Sequence, residues 1–405
     1  MRIRSILRTS TLRYAALAIA ATAALTGCSS VSGTALPGEP DIRDFDIGTY
    51  PTTPLDMRWE YLNGLDSGTE LAIMRLSDNV VNGFEIDPKI KYNRGVKGFP
   101  DAEAATELLA DVNGPVLERH NFMFGLGLTS ADRAKSPDKS VGDTAVTIGV
   151  LQFPDETTAK AAARDLDQTD FAVAPDQNKP VELKKYPDAH SHWRPGHPTL
   201  GTTMAVGSYV VTLLITWPSS DLDSLTSLAE KTYAAQIPLL KELAPLSKRE
   251  VLELPFDPDS MFQRTLASDD FYFTPMVGKV ATHKPRGLLH WVGEPTDVQQ
   301  AMQDSGVDSI SLADETYLWR TKDADAAKKF AGTRLTASRW TSIDAPKDVP
   351  EARCSEDSTP KDSDQKYVCI VHYDRYVAQV QSGQPVDVRQ RAAAQYALLA
   401  NSQYQ

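Results

Sequence analysis

Cysteine is nearly absent from this chain: there are three among 405 residues, at positions 28, 354 and 369. That scarcity excludes a disulfide-stapled miniature domain and a cysteine-rich zinc module. Histidine is scarce as well, with seven copies. No Gly-x-Ser-x-Gly, His-Glu-x-x-His, phosphate-cradling glycine loop or calcium loop occurs, so no local catalytic motif announces an activity. Ser136-Pro137-Asp138-Lys139 fits a Ser-x-x-Lys acyltransferase pattern and Ser77-Asp78-Asn79 its companion. Their order is reversed and a Lys-Thr-Gly element is missing, so the match is coincidence. A triad assembled in space from distant residues stays open. Beyond residue 28 no apolar run is long enough to span a bilayer.

What is present is concentrated at the N-terminus. Arg2, Arg4, Arg8 and Arg13 precede an apolar run from Tyr14 to Leu25, and Leu25-Thr26-Gly27-Cys28 follows directly. That order is a secretory signal ending in a lipobox, which predicts cleavage before Cys28 and lipidation, with palmitate among the acyl chains, of that cysteine. Losing the four arginines takes the formal charge from −12 to −16, which argues against a nucleic-acid or anionic-lipid surface as a partner. The expected location is the extracytoplasmic face of the cell membrane, held by the lipid alone. Outside the cytoplasm the two remaining cysteines, Cys354 and Cys369, are expected to pair in a structural disulfide.

Ser29 to Pro54 is rich in glycine and proline and poor in large apolar residues, as a tether would be. Its later half, Ile42 to Pro51, is less flexible in composition and is expected to dock onto the folded body. After it the chain repeats itself. Ala145–Gln152 leads into an alanine-rich helix from Glu156 to Leu166, then a long loop. A hairpin follows (Thr202–Val206, Tyr209–Trp217), then a helix that Ser219-Ser220 are expected to cap and that carries Leu225, Leu228, Tyr233 and Ile237. A second copy begins near Thr316: Leu318 lies 167 residues after Leu151, and Tyr376 lies 167 after Tyr209. Asp387 is the expected cap of the closing helix, whose Tyr396 follows Tyr233 by 163. Ala102 to Arg119 reads as a further helix, Leu288 to Val292 as a short strand and Thr296 to Gln303 as a helix.

The fold class predicted is α+β. Two similar β-α-β-β-α units have largely antiparallel sheets covered by helices and are related by an internal duplication. The expected boundaries are a signal peptide over 1–27, a tether over 28–55, and repeat domains over 56–250 and 251–405.

The sharpest polar cluster is His190-Ser191-His192-Trp193-Arg194-Pro195-Gly196-His197. His-x-His on an extended chain can aim two imidazoles at one metal, with His197 reachable after the turn. His190, His192 and His197 are therefore the candidate metal ligands, and a polar surface loop is the alternative. No cofactor is predicted, and Asp155, Glu156, Asp323 and Asp325 at helix starts are explained by the helix dipole.

Val31-Ser32-Gly33-Thr34-Ala35 after the lipobox, then Asp46-Ile47-Gly48-Thr49-Tyr50-Pro51-Thr52 and the ending Asp387 to Leu399, resemble a family of uncharacterised actinobacterial envelope lipoproteins. The resemblance implies no activity and assigns no residue. The strand-helix-hairpin-helix unit is also loosely similar to extracytoplasmic sensor domains of such bacteria. The expected function is a lipid-anchored, non-catalytic binding module with a small apolar or glycolipid-like ligand between the repeats. The alternatives are an accessory lipoprotein that binds another envelope protein, and an extracytoplasmic hydrolase.

Overall fold

Two seven-stranded antiparallel sheets account for the architecture, one in each half of the chain. The computed structural model describes residues 40–57, 61, 63–135, 142–267, 274–360 and 362–403. The expected signal peptide, Cys28, the first part of the tether and the Ser136–Lys139 match lie outside these residues.

The first sheet contains β1 (Tyr92–Phe99), β2 (Phe124–Ala131), β3 (Ala145–Gln152), β4 (Lys179–Pro180), β5 (His190–Trp193), β6 (Thr199–Val206) and β7 (Tyr209–Thr216). Its order is β1-β2-β3-β7-β6-β5-β4. The second contains β8 (Val280–His283), β9 (Ser309–Ala313), β10 (Thr316–Arg320), β11 (Trp340–Ile343), β12 (Arg353–Asp357), β13 (Tyr367–Tyr373) and β14 (Tyr376–Ser382). Read from β8, its order is β8-β9-β10-β14-β13-β12-β11. The two orders are the same topology. The unit recognised in the sequence is the centre of each lobe, and further strands extend it on both sides.

Register refines the repeat. The hairpins superpose at an offset of 167, since Val206 pairs with Tyr209 and Tyr373 with Tyr376. The strand before them is offset by 168: Leu151 pairs with Val210, and Trp319 with Val377. Leu151 therefore corresponds to Trp319 and not to Leu318. A slip of one residue exchanges the faces of a strand, and the packing agrees. Leu151 meets the helix after β3, and Trp319 meets the helix after β10. The caps of those helices keep the 168 offset, with Asp155 accepting from the Thr158 amide and Asp323 from the Ala326 amide.

Among the described residues six helices exceed eight residues: α1 (Leu65–Ser77), α2 (Glu156–Ala172), α3 (Leu222–Lys241), α4 (Pro295–Asp304), α5 (Ala324–Thr333) and α6 (Pro385–Asn401). In the first lobe α3 and α1 cover one face over Leu126, Ile148, Val150 and Leu213, while α2 covers part of the other over Leu151 and Val210. In the second lobe α6 and α5 repeat this on Leu318, Val371 and Ala378, and on Trp319 and Val377. Helix α1 packs on both lobes, with Ile73 and Leu76 in the first core and Leu71 and Met74 against Phe256, Phe262 and Val280.

Ile42 to Pro51 docks on α6, as its composition suggests, and the contact runs on to Thr52. Phe45 is buried edge-on against Tyr396, the Tyr50 hydroxyl donates to Asp387 at 2.6 Å, and Asn401 donates to the Thr52 carbonyl.

Four local expectations need correction. Ala102 to Arg119 is not one helix but short helices at Ala102–Thr106 and Gly114–Arg119, separated by a 3-10 turn. Pro115 has no N–H to give a helix interior and sits instead at a new start. Leu288 to Val292 is not a strand, because Pro285–Leu289 is helical. Asp387 does not cap α6: Gln384 holds the cap position, while Asp387 lies in the first turn and binds Ser382 and Arg391. Asp221, and not Ser219 or Ser220, caps α3. The described helices include none long and apolar enough to cross a membrane.

Candidate functional site

Ionisable residues gather where the lobes meet at the C-terminal end of α1. Ser77 and Asp78 end that helix, and His283, Arg286 and His290 come from β8 and the short helix after it. The Ser77 hydroxyl donates to the Met74 carbonyl at 2.6 Å and lies 3.3 Å from His283 Nδ1. His290 Nε2 donates to the Ser77 carbonyl at 2.9 Å. Asp78 Oδ1 accepts from the Lys284 amide at 3.0 Å, so this carboxyl from the first half of the chain caps a helix in the second. Arg286 pairs with Glu85 at 3.1 Å. Gly287 permits the approach: a Cβ there would lie 2.2 Å from Asp78 Oδ1 and 2.7 Å from Ser77 Oγ.

Burial dominates the electrostatics of this joint. It pushes the Asp78 carboxyl up to about 7, against the opposing pull of the Lys284 amide and ammonium. It pushes His283 down to about 3 and His290 to about 4. Both imidazoles are thus neutral, and His283 Nε2 and His290 Nδ1 are buried without hydrogen-bond partners. Ser77, His283 and Asp78 have the composition of a hydrolytic triad but not its wiring. The serine proton goes to a backbone carbonyl, the carboxyl binds backbone amides and no imidazole, and Ser77 is wholly buried.

Beside the joint lies a cleft of about 630 Å³. Its lining includes Leu254, Pro255, Phe256 and Pro258 of the connector between the lobes, the cations Arg75, Lys284 and Arg286, and the carboxyls of Asp78, Glu242 and Asp259. Three cations therefore meet two carboxylates and a third carboxyl that titrates near neutrality.

The histidine cluster falls elsewhere. His192 on β5 and His197 after the turn line a cavity of about 380 Å³ on the first sheet, and His190 is not part of that lining. Among the described residues no three His, Cys, Asp or Glu side chains are gathered to hold a metal ion. The expected centre of His190, His192 and His197 is therefore not assembled. His192 Nδ1 is drawn 2.8 Å from Asp167 on α2, and the His197 carbonyl accepts from Trp193 Nε1. The cysteines behave as expected: Cys354 and Cys369 face each other in register on β12 and β13 and are bonded. The equivalent pair in the first lobe, Ser191 and Thr202, is joined by a hydroxyl hydrogen bond of 2.6 Å.

Nothing in the spacing of Ser77 and Asp78 points to His283 and His290, some 206 residues away. The one signal in the sequence is a pair of histidines flanking Pro285-Arg286-Gly287.

Comparison with known proteins now adds the family. Residues 60–256 match "Domain of unknown function (DUF7373) N-terminal", and residues 261–402 match the "C-terminal" counterpart. The chain belongs to the DUF7373 family. The two matched segments hold one seven-stranded sheet each, so the family's N- and C-terminal domains are the two copies of a duplicated α+β fold. No curated protein matches this DUF7373 chain. Among solved structures, it is similar to the extracellular domain of PknH from Mycobacterium tuberculosis. The identity is 13%, over 42% of this chain and 97% of that one, with a TM-score of 0.32.

Proposed function

We propose that this DUF7373 protein is a lipid-anchored, extracytoplasmic binding module that holds an amphiphilic ligand with an anionic head in the cleft between its lobes. The observation that carries this reading is the mixed lining of the cleft, which combines the apolar Leu254, Pro255, Phe256 and Pro258 with the cations Arg75, Lys284 and Arg286. An acyl or other apolar body gains by leaving water against the connector, at roughly 25 cal/mol for each Å² removed. An acidic head meets the cations in a partly desolvated setting, where such contacts are stronger than in water. Asp78 adds a condition: protonated below about pH 7 it is neutral toward an anion, and ionised above that it repels one.

The N-terminal arginines, apolar run and lipobox support the location. Anchoring through Cys28 would hold the protein at the membrane surface, where such ligands reside.

Titration with dodecyl phosphate and with uncharged dodecyl maltoside, followed by tryptophan fluorescence, tests the reading. The phosphate is expected to bind the more tightly, with Lys284→Met weakening it by about tenfold. Equal binding of both detergents, or no effect of the substitution, would refute it.

A further inference from the structure

The duplication supplies an internal comparison for the 380 Å³ cavity on the first sheet. By strand register, Gly149, Gly201, Thr203 and Thr212, which line it, correspond to Tyr317, Val368, Ile370 and Gln379 of the second lobe. The second lobe fills this face. Tyr317 stacks on Trp319, and Arg334 lies over the Trp319 ring and donates to Gln379. The first lobe has the same face stripped to glycine and threonine. Its covering helix α2 also runs to Ala172, where the 168 offset would end the equivalent of α5 at Asp165. The extra turns bring Asp167 to His192 and Asp170 to the cavity wall.

We propose that this cavity is a second binding site, for one uncharged, pyranose-sized sugar, free or at the end of a glycan. The floor of Gly149 and Gly201 is flat enough for a ring to lie on the sheet, and Gly201 is what admits the His192 imidazole beside it: a Cβ there would lie 3.3 Å from that ring. The Thr203 hydroxyl donates to that of Thr212 and the Thr147 hydroxyl pairs with that of Thr129, and the capacity each hydroxyl has left suits a ligand made of hydroxyls. Asp170 accepts from Asn113 Nδ2 at 2.8 Å and offers its remaining lone pairs to a vicinal pair of hydroxyls. Leu108 and Val173 supply apolar surface for the C–H face. Asp170 and Arg194 both line the cavity, so neither sign of charge is favoured, and the hydroxyl floor disfavours a purely apolar guest. This site is separate from the cleft between the lobes, and neither depends on the other.

The test is titration of the isotopically labelled chain with glucose, galactose, mannose and arabinose, and with their methyl glycosides, while the amide resonances of Gly149 and Gly201 are followed. At least one sugar is expected to shift both resonances saturably. Gly201→Val, which installs the residue the second lobe carries, is expected to weaken that sugar by about tenfold or more. His192→Gln, which keeps a donor toward Asp167 and adds no bulk on the glycine floor, is expected to weaken it as well and guards against misfolding of Gly201→Val. Binding of the free sugar alone identifies a monosaccharide ligand, and equal binding of the glycoside identifies a glycan terminus. Absence of any saturable shift, or affinity unchanged in both variants, overturns the proposal.

Discussion

Gln236 and Gln395 make the same clamp in the two lobes. Each is wholly buried on the closing helix of its lobe. The Gln236 amide accepts from the Val81 N–H at 2.9 Å and donates to the Asn79 carbonyl at 2.8 Å. The Gln395 amide accepts from the Leu266 N–H at 2.8 Å and donates to the Arg264 carbonyl at 2.9 Å. In both, one side-chain amide satisfies two backbone groups of the segment that leads into the sheet. The offset is 159, so Gln236 and Gln395 correspond, and the 163 expected from Tyr233 and Tyr396 lies one helical turn away.

The clamp predicts a large stability effect from a small change. Gln236→Leu or Gln395→Leu leaves a buried N–H and a buried carbonyl without partners, at about 1–3 kcal/mol each. Urea unfolding is expected to show either variant destabilised by about 2–4 kcal/mol. A loss below about 1 kcal/mol would mean that water replaces the amide.

Much of the fold is legible in the order of the amino acids. Gly207 at φ +58° and Asp374 at φ +47° turn the two hairpins as their alternation predicts, and Asp155 and Asp323 cap helices where acidic residues precede alanine runs. The register of β3 is not legible to one residue, because seven of its eight positions are buried and no alternation marks its faces. The helix at Pro285–Leu289 is hidden for a different reason: its cap, Asp78, comes from the other half of the chain. The joint shares this cause. Its members are far apart in sequence, and no periodicity carries such information.

The paired positions Cys354–Cys369 and Ser191–Thr202 suggest an exchange. Cys354→Ser with Cys369→Thr writes the first lobe's hydroxyl pair into the second. The double variant is expected to fold and to lose about 3 kcal/mol, the value for cross-linking a loop of 15 residues. Failure to fold would show that the sheet depends on the bond itself.

The joint gives stability a pH dependence of known sign. His283 and His290 are depressed by burial to about 3 and about 4. Their contribution is complete above about 6.5, the unfolded value, and is lost as pH falls toward 4 and then 3. Asp78 is raised to about 7, so its contribution is complete below about 4 and is lost as pH rises through 7. Between about pH 5 and 6, Asp78→Asn removes a proton held only by the folded state. Its unfolding free energy is expected to rise with pH more steeply than that of the unaltered chain, by about 1.4 kcal/mol per unit. His283→Gln is expected to be shallower by a similar amount. Unchanged slopes in both variants would contradict the assignment.

Docking of the tether's later half rests on Tyr50, whose hydroxyl meets Asp387 and Arg391. Tyr50→Phe removes that bond and keeps the ring, so hydrogen exchange over residues 42–52 is expected to quicken by about tenfold with the sheets unaffected. Equal exchange would assign the docking to Phe45 and to the Gln390–Asp46 and Asn401–Thr52 bonds.

The central claim, an anionic amphiphile between the lobes, is tested most directly by native mass spectrometry of the DUF7373 chain purified from an actinobacterial host, with solvent extraction of whatever it carries. The account predicts one co-purified molecule per chain, apolar in its body and acidic at its head, that is absent from Lys284→Met. A bare protein mass, or an uncharged lipid retained equally by the variant, would contradict it.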